Sequence, residues 1–304
     1  MRRTLWRLAL LALVVAASAR IHAQDLEPRA YGNAPVGLNF LIVGYAHAEG
    51  GLVTDPSIPL ENPHLEVPAA VVAYARTFGL WGRSAKVAMG VPYAWLSGSA
   101  DVGGVPQSRV VDGFGDPRVG FTINLYGAPA LSLKEFAGYK QKLIIGASVA
   151  ASAPFGQYDG DRLVNIGSNR WALKSEVGAS VAVKRWILEL DAAATAYQDN
   201  DDFFGGQERE QDVVYATQGH VIYGFKSGVW GALDATYYTG GQARVDGIKS
   251  GGELENSRLG LTLVFPVNRR NSIKLYASSG ISVRTGTDFD VGGIAWQYRW
   301  GGGM

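Results

Sequence analysis

The 304 residues carry 28 Lys+Arg against 27 Asp+Glu, 40 glycines and no cysteine. This near balance of charge argues against nucleic acid as a partner, and the lack of thiols excludes disulfide staples and thiolate metal ligands. The glycines are spread along the chain with no Pro/Ser-rich linker, which fits turns, barrel bends and close-packed strands in a single domain.

Arg2, Arg3 and Arg7 precede an apolar run from Leu8 to Ala17, the n-region and h-region of a secretory signal peptide. That run is too short to cross a bilayer. Cleavage after Ala19 or after Ala23 satisfies the small-residue rule; the second leaves a polar Gln24-Asp25 start and a mature chain of residues 24–304. Removing residues 1–23 takes away four arginines and no acid, which leaves 24 basic and 27 acidic side chains, a net charge of −3.

Beyond the signal no stretch of about 20 apolar residues occurs, so helices are not the means of crossing a membrane. A period of two dominates instead. In chain order the apolar parity reads as weaker strands near 36–48 and 67–78, then Ala85 to Trp95, Val119 to Leu125 and Leu143 to Ala151. The clearest pair follows: Trp171, Leu173, Val177, Ala179, Val181, Val183, and after Lys184-Arg185 the run Trp186, Leu188, Leu190, Ala192, Ala194, Ala196. Further strands begin at Val221, Val229, Leu259, Ile273 and Ile294. The count is twelve, an even number with both termini on one side, as single-chain outer-membrane barrels require.

Connections alternate between short ones (80–82, 184–185, 227–228, 268–271) and long polar ones (49–66, 97–113, 156–168, 198–212, 239–256). Short periplasmic turns and long outer loops produce that rhythm. Residues 127–141 break it, being long on the short side, and Leu133-Lys134-Glu135-Phe136 there suits a helical turn. Aromatics gather at strand ends as interfacial girdles would: Tyr93 and Trp95, Trp171, Trp186, Tyr223 and Phe225. The final strand, Gly293 to Trp300, alternates aromatics like the signal that barrel-assembly machinery reads, followed by a tail from Gly301 to Met304. The expected class is an all-β, up-and-down antiparallel barrel of about twelve strands in the outer membrane, in contact with lipid and lipopolysaccharide. No energy-coupling plug domain is expected at the N-terminus.

With apolar residues toward lipid, the opposite parity lines a lumen: Arg118, Asn124, Arg170, Lys174, Glu176, Glu189, Asp191, His220, Asp234 and Arg258, joined by Lys86, Lys274 and Arg284. A lipid-facing Lys or Arg near the midplane would cost about 2–4 kcal/mol, which forces this parity. Such a wall reads either as a conduit that selects solutes by field and hydrogen bonding or as a salt-bridge lattice that fills a closed lumen. An enzyme is not expected: no Gly-x-Ser-x-Gly and no His-Glu-x-x-His occurs, although His220 shares the inner parity with Asp234. No cofactor and no metal site is expected. The acidic residues Asp199, Asp201, Asp202, Glu208 and Glu210 lack the spacing of a calcium loop, and Phe203-Phe204-Gly205-Gly206 between them suits a plug or a lipid-touching tip.

Gly113-Phe114-Gly115-Asp116-Pro117-Arg118-Val119-Gly120, Pro154-Phe155-Gly156-Gln157-Tyr158-Asp159, and Arg162 through Trp171 resemble the signatures of the meta-pathway phenol degradation family of outer-membrane transporters. Tyr237-Tyr238, Gly240-Gly241 and Asp246-Gly247 resemble a later one. The resemblance covers roughly residues 28 to 300 and implies a barrel with a transport role close to aromatic catabolism. The expected function is a passive channel for small hydrophobic or aromatic solutes, with a structural barrel of closed lumen as the alternative and a lipid hydrolase as a third.

Overall fold

The computed structural model describes residues 27–51, 61–102, 105–250, 252–283 and 288–304. The signal segment 1–23 and Arg284 lie outside them. In chain order the strands are β1 Leu38–Gly51, β2 Glu61–Glu66, β3 Ala69–Leu80, β4 Arg83–Val102, β5 Val105–Phe114, β6 Arg118–Tyr126, β7 Leu143–Ser152, β8 Ala172–Val183 and β9 Trp186–Tyr197. They continue with β10 Asn200–Phe203, β11 Gln207–Gln211, β12 Val214–Gly224, β13 Trp230–Gly240, β14 Ala243–Val245, β15 Ile248–Ser250, β16 Leu254–Pro266, β17 Asn271–Val283 and β18 Asp288–Gly301. One helical turn, α1 Leu133–Phe136, lies between β6 and β7.

Twelve of these strands make a closed antiparallel barrel in the cyclic order β1-β3-β4-β6-β7-β8-β9-β12-β13-β16-β17-β18. Closure comes from β18 pairing with β1 from Leu38↔Gly301 to Gly51↔Asp288, so no edge is left unpaired at membrane depth, as lipid demands. The alternation seen in the sequence becomes alternation of exposure. On β13, Leu233 is 61% exposed while its neighbour Asp234 is 2% exposed. The same outward parity exposes Val91, Val119, Ile145, Val177, Leu190, Leu261, Leu275 and Ile294. Leu233→Arg is therefore expected to lower stability in lipid by about 2–4 kcal/mol; urea titration in vesicles, with no loss for Asp201→Arg at an exposed position of β10 as control, checks it.

Two aromatic belts bound the apolar band. At the outer end Tyr93 packs on Trp95 and on Phe114 with ring centroids 5.0 and 5.1 Å apart. At the inner end Trp186 meets Tyr223 at 4.6 Å, and Trp296, Tyr298 and Trp300 stack in series. Amphipathic rings settle at the bilayer interfaces, so these belts fix the depth of the barrel.

Inner turns are tight: Trp81 and Gly82 both take positive φ, 50° and 73°, the pair of left-handed residues that a two-residue hairpin needs. The exception, 127–141, does hold the helical turn that the sequence suits. Ser132 caps it, its hydroxyl accepting from the Glu135 amide while Glu135 reaches back to the Ser132 amide, a capping box. These hydrogen bonds from Ser132 hold the Glu135 carboxyl below its ordinary range. This long turn is a floor: Val36 donates to the Leu131 carbonyl at 2.8 Å and Asn33 to that of Pro129 at 3.2 Å.

Four regions read as loops, 49–66, 97–113, 198–212 and 239–256, contain strands. β4 runs on to Val102 and pairs with β5; β2 spans β1 and the outer part of β4. β10-β11-β14-β15 form a separate four-stranded sheet. Both faces of these extensions meet water or loop, so no sustained apolar parity marks them in the sequence. Gly205-Gly206 is the hairpin turn between β10 and β11, with φ of 78° and 81°, and beside it Phe203 is buried under the Arg209 guanidinium.

Candidate functional site in the barrel interior

Inward-facing side chains on β8, β9, β12, β13 and β16 carry the charge. Lys174 pairs with Glu176 at 2.7 Å. Ser180 donates to Glu189 at 2.7 Å and receives Gln141 at 2.8 Å. His220 Nδ1 lies 2.7 Å from Asp234 and its Nε2 3.5 Å from Asp191, while Thr262 donates to the second oxygen of Asp234 at 3.0 Å. This chain of partners stitches five adjacent strands, and it gives polar partners to carboxylates that are almost wholly buried. Both imidazole nitrogens face carboxylates, so His220 has no hydroxyl poised on it as a nucleophile–base pair would require.

The segment preceding β1 enters this space. Tyr31, 1% exposed, donates to Glu176 at 2.9 Å, and the Arg29 amide donates to Glu189 at 2.6 Å. The ring sits in a notch cut by two glycines: a Cβ at Gly146 or at Gly178 would overlap it, and at Gly178 also the Asp191 carboxylate. Burial, followed by the neighbouring Glu176, pushes the Tyr31 phenol well above its ordinary range. Glu27 faces the positive field of Lys86, Lys274, Arg118 and Lys174. Among the described residues about ten, 27–36, occupy the inner half of the lumen, because these glycines and acids leave a site shaped for them.

Of the residues that the sequence marks, Lys174, Glu176, Glu189, Asp191, His220 and Asp234 thus meet in one inner network, and buried Asn124 borders the Tyr31 notch at Gly146. Arg170 and Arg258 stand apart, toward the outer end. Arg170 lies 4.4 Å over the Tyr197 ring and donates to Gln211; Arg258 lies 3.8 Å over Phe289 and donates to Ser278 at 3.0 Å. Arg118, half-buried, begins β6 at its outer end.

The opposite wall is of another kind. Ala46 and Ala48 on β1, Ala69 and Ala75 on β3, Ala94 and Leu96 on β4, and Phe289 on β18 are all buried inward, with Gly44 facing Val71 and Val291 against the same cluster. The lumen is two-faced, ionic from β8 to β16 and apolar from β18 to β4. Parity alone could not find the second face, since it assigned every apolar residue to lipid. A signal was present: from Ala69 to Ala75 the chain is Ala-Ala-Val-Val-Ala-Tyr-Ala, apolar on both parities, the mark of a strand with no aqueous side.

At the outer mouth the β7–β8 connection folds over this apolar wall. Val164 is buried among Ala46, Ala48, Leu65, Leu96 and Phe289, with Leu163 and Ile166 packed against the cluster. Among the described residues one group converges closely enough to hold a cation, Glu49, His64 and Glu66, whose ligand atoms lie within 4.8 Å of one another; all three are exposed.

Solved structures share this architecture. A crystal structure of an outer membrane channel from Pseudomonas putida F1 aligns with a TM-score of 0.75 at 21% identity, covering 91% of this chain and 100% of that one. The transport unit of the autotransporter AIDA-I from Escherichia coli aligns at 0.51 and 11% identity over 91% of this chain and 93% of that one. No curated protein matches the chain by sequence. Closed, girdled by aromatics and apolar across its outward band, the protein is a β-barrel of the outer membrane. A family model described as "Putative MetA-pathway of phenol degradation" matches residues 54–298, and with four-fifths of its length inside that match the chain belongs to this family.

Proposed function

We propose that the protein is a passive outer-membrane channel for small hydrophobic or aromatic solutes. The observation that carries this is the apolar inner wall from β18 to β4. A water-filled pore gains nothing from alanines, valines and a phenylalanine on its inner face, whereas an apolar solute gains about 25 cal/mol for each Å² it buries there. Arg258 over Phe289 places a donor beside that wall and Arg170 over Tyr197 one across the lumen from it, where a hydroxyl or carboxylate on an aromatic solute finds a partner. The named inward residues, Arg118, Asn124, Arg170, Lys174, Glu176, Glu189, Asp191, His220, Asp234 and Arg258, are proposed as the polar side of the path.

The segment holding Tyr31 favours a second reading, a structural barrel with a closed lumen. Bacteria with intact lipopolysaccharide exclude the fluorescent hydrophobe N-phenylnaphthylamine, and this separates the two readings. Cells expressing the barrel are expected to take up the dye several-fold faster than cells without it; equal rates would sink the channel. The route to the membrane is proposed as signal removal after Ala19 or Ala23, then insertion by barrel-assembly machinery that reads the aromatic β18, with lipopolysaccharide around the outer rim.

A further inference from the structure

We propose that residues 153–171 form a selectivity strap across the outer mouth. In it Leu163, Val164 and Ile166 set the preference for apolar over hydrophilic solutes, and Asp116 is the residue that positions them. The proposal rests on the channel reading and locates its constriction.

The strap leaves the barrel between β7 and β8, yet Val164 is buried against the inner faces of β18, β1 and β4. In the cyclic order β8 stands five places from β1 in a ring of twelve, so the segment crosses most of the opening. Its crest is held there from above, the Arg109 guanidinium on β5 donating to the Val164 carbonyl at 3.3 Å. Its interior is tied as well: the Asn165 amide donates to the carbonyls of Asp159 and Arg162, both at 3.0 Å.

Both ends of the strap are gathered at one carboxylate. Asp116, 2% exposed, accepts the Gly156 amide at 2.9 Å on one oxygen. Its other oxygen accepts the Ser168 amide at 2.9 Å and the Ser168 hydroxyl at 2.6 Å. The neck is so narrow that a Cβ on Gly156 or Gly167 would come within 2.8 Å of the other's backbone. A buried carboxylate persists only where such donors meet it. The energy of this staple is therefore spent on where the strap lies. With Val164 anchoring the strap to the wall, a hydrophilic solute at the mouth must shed water against partly exposed Leu163 and Ile166, whereas an apolar one exchanges water for contact.

The chain has no cysteine, so Val164→Cys supplies a unique thiol for a membrane-impermeant maleimide applied to intact cells. Labelling is expected to be slow, and at least about tenfold faster when Asp116→Ala is added. In matched preparations Asp116→Ala is expected to raise arabinose-driven liposome swelling at least about fivefold relative to dye uptake by cells. Val164→Asp, which leaves the staple intact and puts charge into the cluster, is expected to change the same ratio in the same direction. Heat-modifiable migration in gels shows that each variant is folded. Equal labelling rates with and without Asp116, or an unchanged sugar-to-dye ratio in both variants, would overturn the strap even if the wild-type barrel admits the dye. Failure of the wild-type barrel to admit dye counts against the channel itself, and the labelling rates still decide where the strap lies.

Discussion

Deletion of residues 27–36 is expected to raise single-channel conductance in planar bilayers about fivefold or more. The segment occupies the inner half of the lumen through two attachments: Tyr31 buried in the Gly146/Gly178 notch and bonded to Glu176, and the Arg29 amide on Glu189. None of the barrel's strand ladders depends on it, so the deleted chain should still close. Gly178→Val should act in the same direction by filling the notch that the Tyr31 ring needs, with some loss of stability because the new side chain also meets Asp191. If the deletion variant, folded by heat-modifiable migration, conducts as the wild type does, the segment is not the inner obstruction.

His220→Ala is expected to destabilise the barrel by about 3–5 kcal/mol, the cost of stranding buried charge when one partner of an ion pair is removed. His220 sits between Asp191 and Asp234, and all three are nearly inaccessible. Without the imidazole, two carboxylates on strands separated only by β12 face each other across the gap. Thr262→Val should cost only about 1 kcal/mol, since it takes one hydrogen bond from Asp234. Equilibrium unfolding in urea from lipid vesicles gives both values. A His220→Ala loss below about 1 kcal/mol would mean that water reaches this network and that the interior is wetter than its burial indicates.

The outward surface was legible in the sequence because lipid penalises charge at its midplane. Leu188, Leu190 and Val221, or Val177 and Val181, are exposed on the parity that alternation assigns to lipid. The strand count follows from the same rule. Inward charges were legible as the complement of that set, so Asp191, His220 and Asp234 could be named before their contacts were known. What alternation cannot carry is any contact between residues distant in the chain. Tyr31 reaches Glu176 across 145 positions, and its notch is written as two glycines indistinguishable in sequence from turn or bend glycines. Asp116 was visible within a glycine-rich motif, and Gly156 and Ser168 within two others, but only folding joins them at one carboxylate. The apolar inner wall was hidden for a different reason: rules that read one face as water and one as lipid have no place for a strand such as β3, whose two faces are both dry.

The seam between β1 and β18 unites the two ends of the spanning chain, so the ring cannot close until the last strand has been made and delivered. The peptide that leads into β1 must lie on the inner side of that seam as it zips. The barrel therefore shuts around its own leading end, in the manner of a drawstring pouch sewn with the cord already inside. Yet the cord is not knotted. Residues 27–36 lie outside the β1–β18 ladder, which starts at Leu38, so they can shift without one of its rungs being broken.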